Sequence, residues 1–303
     1  MFETLIKTLE EDKYLTLETT PPHEPTMYNI VNKIEEFNLH KKVDGFSTTD
    51  NPLAKLKYGA MFASVKLQQK FNKPVITTMS MRDKNKIALQ SDLIGGNDFD
   101  LRAVLALTGD PAHMSDQPHA KGVFEGNSTV LLEIINSFNN GMDYAGKPFK
   151  IAPKQIYPFS VINSYAKNMK SLEKRMFKKV LNKTRGIITQ PVYDLENAKQ
   201  LISYMENVQN DFQDERQKAQ LIIGVFPITR LRTAQFLSSH VPGIYVPQDW
   251  IEELAIAAKI SPEEEYKVGM ELSANILKSI QDIHPKIHLM TANKFDVANE
   301  LIN

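Results

Sequence analysis

Eight times along the chain a short apolar, β-branched run gives way to a longer stretch whose apolar residues recur at helical spacing, and no other feature limits the fold as much. The first strand pattern ends near Glu18, and the others occupy 43–49, 74–80, 103–107, 155–162, 186–190, 221–226 and 287–290. Helical patterns fill 26–37, 53–71, 83–93, 128–138, 171–181, 195–208 and 229–239, and two further helical stretches reach 283 before the last strand. With no low-complexity linker and no composition shift over 303 residues, this alternation predicts a single α/β domain over 1–303. Its expected form is a closed (β/α)8 (TIM) barrel with extra helices before the last strand. A doubly wound open sheet is the other candidate. Against it, no G-x-G-x-x-G follows the first strand, no Walker loop is present, and the Gly95-Gly96 pair reads as a helix C-cap.

The first strand stops abruptly in Leu15-Thr-Leu-Glu18-Thr-Thr-Pro21-Pro22. Proline brings no N–H to a sheet ladder and disfavours helix in the residue before it, so Glu18 is expected at the C-terminal rim of a strand. In a parallel α/β protein that rim is where ligands bind, although a strand-end glutamate can also simply face water.

Composition narrows the function. The chain carries 36 basic and 36 acidic residues, so no net field recruits nucleic acid or an anionic membrane. It has no cysteine, which removes disulfides, thiolate nucleophiles and sulfur-ligated metals and suits a reducing cytoplasm. No window approaches the roughly 18 uninterrupted apolar residues of a membrane span, and the N-terminus does not read as a signal peptide, so the protein is expected to be soluble and cytoplasmic. The histidines are scattered without H-E-x-x-H, and no G-x-S-x-G elbow occurs, which argues against a zinc site and against serine hydrolysis.

What stands at the strand ends is polar. The series runs Glu18; Thr48, Thr49, Asp50 and Asn51; Thr78, Ser80, Arg82 and Asp83; Thr108, Gly109 and Asp110; Asn163; Gln190; Thr229 and Arg230; Thr291, Asn293 and Lys294. The polar stretch 109–126 is long enough to be a binding loop or lid, whereas the charged run 209–218 reads as a solvated helix end. One or two carboxylates, amides, hydroxyls and a few cations suit a large heteroaromatic ligand bearing a phosphate, the inventory of a cofactor enzyme.

Four separated runs carry a resemblance. Asp44-Gly-Phe-Ser-Thr-Thr-Asp-Asn-Pro52, Arg82-Asp-Lys-Asn85 with Leu89-Gln-Ser-Asp-Leu93, Leu107-Thr-Gly-Asp-Pro111 and Gly186-Ile-Ile-Thr-Gln-Pro-Val-Tyr193 look like the methylenetetrahydrofolate reductase family. The likeness is greatest to the reductase half of bifunctional homocysteine methyltransferase/methylenetetrahydrofolate reductase proteins. It implies a barrel holding FAD non-covalently, a homo-oligomer, and reduction of 5,10-methylenetetrahydrofolate to 5-methyltetrahydrofolate by hydride from NADH or NADPH, which supplies methionine synthesis.

Residue by residue, the resemblance makes Glu18 the general acid, Asp110 the carboxylate beside the flavin and Gln190 the amide on the pterin. Protonating the departing amine near neutral pH requires a raised pKa at Glu18, which burial under stacked rings would provide. Thr49, Thr78, Thr108, Gly109, Phe124 and Asn163 fall at FAD contacts, Gly109 being read as letting backbone approach the ring. Lys178 and Lys179 fall near the pyrophosphate, with a solvated helix face beside Lys174 and Arg175 as the other reading of Lys178. Lys294 stands where the family has an arginine able to meet the glutamate tail, and Leu231 where it has a phenylalanine that stacks on substrate or nicotinamide.

Three departures open two alternatives. Thr78 replaces the family's histidine, Ile162 stands near an expected aromatic beside Asn163, and Leu231 removes a stacking ring. A same-fold reductase fed by a partner electron-transfer protein would follow from Leu231. A non-catalytic folate-binding or regulatory homologue lacking flavin would follow from Thr78 and Ile162.

Overall fold

The computed structural model describes residues 1–11, 13–212 and 219–302. Eight parallel strands pair in chain order and close on themselves. They are β1 (Tyr14–Thr19), β2 (Gly45–Thr48), β3 (Val75–Ser80), β4 (Ala103–Leu107), β5 (Tyr157–Ile162), β6 (Gly186–Pro191), β7 (Gln220–Val225) and β8 (Lys286–Leu289). Closure is made where β8 meets β1, in the register Tyr14↔Lys286 to Leu17↔Leu289. The expected (β/α)8 barrel is therefore the fold, and the open sheet is excluded.

The pleat of each strand sorts its side chains between two cores. Leu17, Phe46, Val75, Ile187, Leu221, Ile223, Ile287 and Leu289 pack with helix residues such as Ile34, Leu67, Met176, Leu201 and Leu277. The opposite phase, including Tyr14, Ile76, Leu105, Phe159, Ile188 and Ile222, packs inside with Phe2, Leu5, Ile6 and Leu9 of α1 (Phe2–Glu11). Sequence reading passed over α1, although its apolar residues recur at i, i+3, i+4 and i+7. It plugs the N-terminal end of the barrel, where burial of each large side chain contributes about 1.5 to 3 kcal/mol, and so leaves the C-terminal end for ligands.

The outer helices are α2 (Tyr28–Glu36), α3 (Leu39–Lys42), α4 (Ala60–Phe71), α5 (Lys86–Asp98), α6 (Ser128–Asn139), α7 (Lys170–Leu181), α8 (Leu195–Asn210), α9 (Leu231–His240), α10 (Gln248–Ile260), α11 (Pro262–Ile283) and α12 (Phe295–Leu301). The extra helices before the last strand are present as α10 and α11. Two expectations need correction. The helix placed at 53–71 begins only at Ala60, because Leu53 and Ala54 take left-handed backbone and break the pattern. Gly95-Gly96 does not cap α5 but lies inside it: the helix continues to Asp98 with Phe99 as its C-cap, and Gly96 lets Met61 of α4 pack close. Of the run 209–218, α8 takes the beginning and 213–218 lies outside the described residues. Among the described residues no helix is long and apolar enough to cross a membrane.

Candidate functional site

β1 is polar on its inner phase. Leu15 and Leu17 join the helix-facing core, while Thr16 and Glu18 lie on the opposite phase, and the strand ends at Thr19 just before Pro21-Pro22. Asn293 clamps the next residue from the β8 end, accepting from Thr20 N–H at 2.9 Å and donating to Thr20 C=O at 2.7 Å. Glu18 is thus held on the rim by the strand behind it and a two-point amide clamp beyond it.

Around this rim lies a cavity of about 610 Å³, a volume suited to a cofactor or drug-sized ligand. It brings together Glu18, Thr49, Thr78, Thr108, Gly109, Asp110, Asn163 and Gln190, which are eight of the residues singled out from the sequence. The floor beneath Glu18 is a histidine that sequence reading missed. His288 is buried on β8, its Nδ1 hydrogen-bonded to Thr16 Oγ1 at 2.8 Å and its Nε2 lying 3.4 Å from Ser47 Oγ and 4.0 Å from Glu18 Oε2. Strand parity carries the signal: His288 is two residues before Met290, and both line the cavity.

Gln190 owes its position to an irregularity. The β6–β7 register shifts between Ile188 and Pro191, and a bulge of this kind re-aims the side chain at a strand end. The shift is closed by Gly224, which donates its N–H to Thr189 Oγ1 at 2.9 Å. A Cβ on Gly224 would fall 2.2 Å from Thr189 C=O, so the close strand approach requires glycine there.

A network of carboxylates braces the opposite side. Asp110 accepts Leu53 N–H at 2.7 Å and Asp116 accepts Leu56 N–H at 3.2 Å, so the loop after β4 holds the loop after β2. Leu53 sits at φ +55°, a strained state for a bulky residue, and its N–H bond to Asp110 helps to maintain it. Arg82 is buried, forks onto Asp83 at 2.7 and 2.6 Å, and donates to Asn51 C=O at 2.9 Å. Gly109, at φ +95°, could carry no side chain, because a Cβ would lie 2.7 Å from Arg82 Cβ. The glycine is therefore explained within the protein by Arg82 and the left-handed backbone. Asp50 accepts Ser80 N–H at 3.1 Å, and burial pushes its carboxyl above the usual range against the pull of Lys84.

Thr49 Oγ1, on this cavity, is buried with no hydrogen-bond partner among the described residues, whereas the Ser80 hydroxyl lies against the Asp50 carboxylate. A buried hydroxyl is rarely left without a partner. A smaller basic groove of about 240 Å³ adjoins the cavity through Val161 and Asn163 and is lined by Thr129, Arg175, Lys178 and Lys179. Burial and the like charge of Arg175 push the Lys179 ammonium down to about 8.

Five of the residues to which the resemblance gave a role stand outside the cavity. Lys178 and Lys179 are in the adjoining groove. Phe124 is partly exposed on the loop after β4, its N–H bonded to Met81 C=O at 3.1 Å. Lys294 is exposed ahead of α12. Leu231 opens α9, donates its N–H to Glu265 at 2.7 Å and packs among α9–α11 residues. Ile162, where an aromatic was expected, points into the helix-facing core, while its neighbours Val161 and Asn163 line the cavity. In place of a stacking ring at Leu231, the apolar wall is made by Phe226, Leu237, Val241 and Ile244.

A parallel eight-stranded barrel with a cofactor-sized cavity of convergent polar groups at its C-terminal end has the layout of barrel enzymes. The family model for methylenetetrahydrofolate reductase matches residues 2–303, and the chain belongs to that family. Among solved structures it is similar to one described as an uncharacterized protein from Clostridium thermocellum that binds two copies of 5-methyl-5,6,7,8-tetrahydrofolic acid. That likeness has 15% identity and a TM-score of 0.65 and covers 100% of this chain and 99% of the other. It is also similar to an F420-dependent secondary alcohol dehydrogenase in complex with an F420-acetone adduct, at 12% identity and a TM-score of 0.56, covering 95% and 98%. At these identities the likeness is one of fold. No curated protein matches the chain.

Proposed function

We propose that this protein reduces 5,10-methylenetetrahydrofolate to 5-methyltetrahydrofolate, taking hydride from NADH or NADPH through bound FAD, in the cytoplasm. The observation that carries the reading is the convergence of Glu18, Asp110 and Gln190 on one cavity. Membership of the family and a barrel of the same fold that binds 5-methyl-5,6,7,8-tetrahydrofolic acid support folate as the substrate.

The residues fit FAD in two respects. The Thr49 hydroxyl lies on the cavity without a partner among the described residues, and the groove of Arg175, Lys178 and Lys179 offers cations for a pyrophosphate beside the cavity. When bound, FAD supplies reversible two-electron hydride chemistry, and the rest is done by the protein. Gln190 meets the donor and acceptor edge of the pterin with its amide. Glu18 gives a proton to the amine nitrogen that leaves when the five-membered ring opens, and the resulting iminium is stabilised by Asp110. His288 is a positioning residue: its ring, tied to Thr16, keeps a polar floor 4.0 Å beneath the Glu18 carboxylate. The wall of Phe226, Leu237, Val241 and Ile244 excludes water from the reacting rings.

The test is reconstitution with FAD followed by anaerobic addition of NADH or NADPH. The flavin band should bleach without any partner protein and return on adding methylenetetrahydrofolate. A protein that binds no flavin, or one bleached only through a partner, would overturn the reading.

A further inference from the structure

The loop after β2 carries left-handed backbone at the edge of the cavity. Asn51, Leu53 and Ala54 sit at φ +44°, +55° and +56°. Asparagine takes such backbone readily, whereas leucine does so only under constraint. The constraint comes from three other loops. Arg82 donates to Asn51 C=O at 2.9 Å, Asp110 accepts Leu53 N–H at 2.7 Å, Asp116 accepts Leu56 N–H at 3.2 Å, and Pro22 C=O accepts Tyr58 N–H at 2.7 Å. The loops after β1, β3 and β4 therefore hold the segment wound, and residues kept in costly backbone by their surroundings cluster at ligand clamps.

What the wound segment delivers is one side chain. Leu53 lines the cavity and is 41% exposed, while Ala54 beside it is buried. Glycine would accept φ +55° without penalty, so the turn itself makes no demand for leucine. The cavity has a use for it. Phe226, Leu237, Val241 and Ile244 form an apolar wall on one side, and of the lining residues in the loops after β2, β3 and β4 only Pro52 and Leu53 bring apolar side chains from the other. A flat ring needs polar groups at its edge and apolar surface on both faces. The wall supplies one face, and a leucine left exposed at the edge gains apolar burial by supplying the second.

We infer that residues 51–54 form a wound clasp that lays the Leu53 side chain over one face of the ring bound in the cavity, with the Asp110 carboxylate as its catch. On the flavin reading above, on which this rests, that ring is the isoalloxazine. Asp110 then has two duties, since the carboxylate beside the ring also fixes the residue that covers it.

Equilibrium titration of the full chain tests the clasp, with FAD in one arm and folic acid in the other, each repeated in Leu53→Gly and Leu53→Met. Leu53→Gly keeps the turn and deletes the cover, so FAD binding should weaken by roughly tenfold or more from the apolar burial lost. Leu53→Met keeps the cover and should stay within about twofold of wild type. Without ligand, Leu53→Gly should unfold at or above the wild-type Tm, because glycine relieves the left-handed strain; a lowered Tm would contradict a clasp held wound against it. Equal affinity of wild type and Leu53→Gly for both probes would show that Leu53 covers no ring and overturn the inference. A wild type that binds folic acid alone would sink the flavin reading by itself, and the clasp would then stand only if Leu53→Gly weakens folic acid to the same extent. If the wild type binds neither probe, both fall.

Discussion

At the scale of single residues the proposed reaction asks most of Glu18 and Gln190. Glu18 lies half-buried above His288, and Gln190 shares its cavity at the irregular end of β6. Gln190→Ala should weaken folate binding by roughly 1 to 3 kcal/mol, the cost of leaving a polar ring edge unpaired, in equilibrium titration of the FAD-loaded protein; unchanged affinity would remove Gln190 from the site. Glu18, Asp110 and Gln190 were legible in the sequence because a proline, a glycine or a strand end marked each place, and rim position follows from local pattern. His288 was not, because a histidine within an apolar strand announces itself only once the register assigns its phase. Leu231 and Lys294 lie beyond strand ends, where the path of the following loop decides which side chain reaches the ligand, and that path depends on contacts distant in sequence such as Leu231 to Glu265.

Among the elements, α5 and the loop after β2 show where periodicity misleads. The double glycine imitates a helix stop, yet tertiary packing against Met61 carries the helix through it. The two glycines then differ in consequence. Gly95 is exposed, has nothing within 4 Å of a would-be Cβ, and pays only the helix propensity of glycine. Gly95→Ala should stabilise the protein by about 1 kcal/mol in urea unfolding, and a loss of stability would contradict the continuous helix. The loop after β2 broke its helical pattern for another reason: Leu53 and Ala54 adopt left-handed backbone, with Leu53 N–H held by Asp110, a carboxylate from a loop after another strand. Single-sequence periodicity contains no trace of that partner.

For the molecule as a whole, the barrel was the most legible feature, since eight alternations leave few alternatives, and its functional asymmetry follows from α1 sealing one end. The charge placed beside the open end has a pH signature. Lys179 is held near 8 in the folded protein, below the ordinary value of 10.5, chiefly by burial. Its ionised form therefore costs stability in full below pH 8, and the cost fades as pH rises from 8 towards 10.5, because there the unfolded chain binds the extra proton. Lys179→Met should accordingly raise the stability of the FAD-free protein at pH 7 by roughly 1 to 3 kcal/mol, with the advantage shrinking at pH 10. An equal gain at both pH values would deny the buried charge. A pyrophosphate in the same groove would restore the charged form, so FAD binding near pH 9 should take up a proton, read as a dependence of calorimetric heat on buffer ionisation enthalpy.

The central claim is that Glu18 donates the proton that opens the folate ring, and the two half-reactions of Glu18→Gln test it most directly by anaerobic stopped flow. The flavin of the variant should be bleached by NADH or NADPH at close to the wild-type rate, while its re-oxidation by methylenetetrahydrofolate should slow by about 10² to 10⁴, the usual share of a general acid. Re-oxidation at the wild-type rate would contradict the account and leave Glu18 as a carboxylate on the rim with no part in the chemistry.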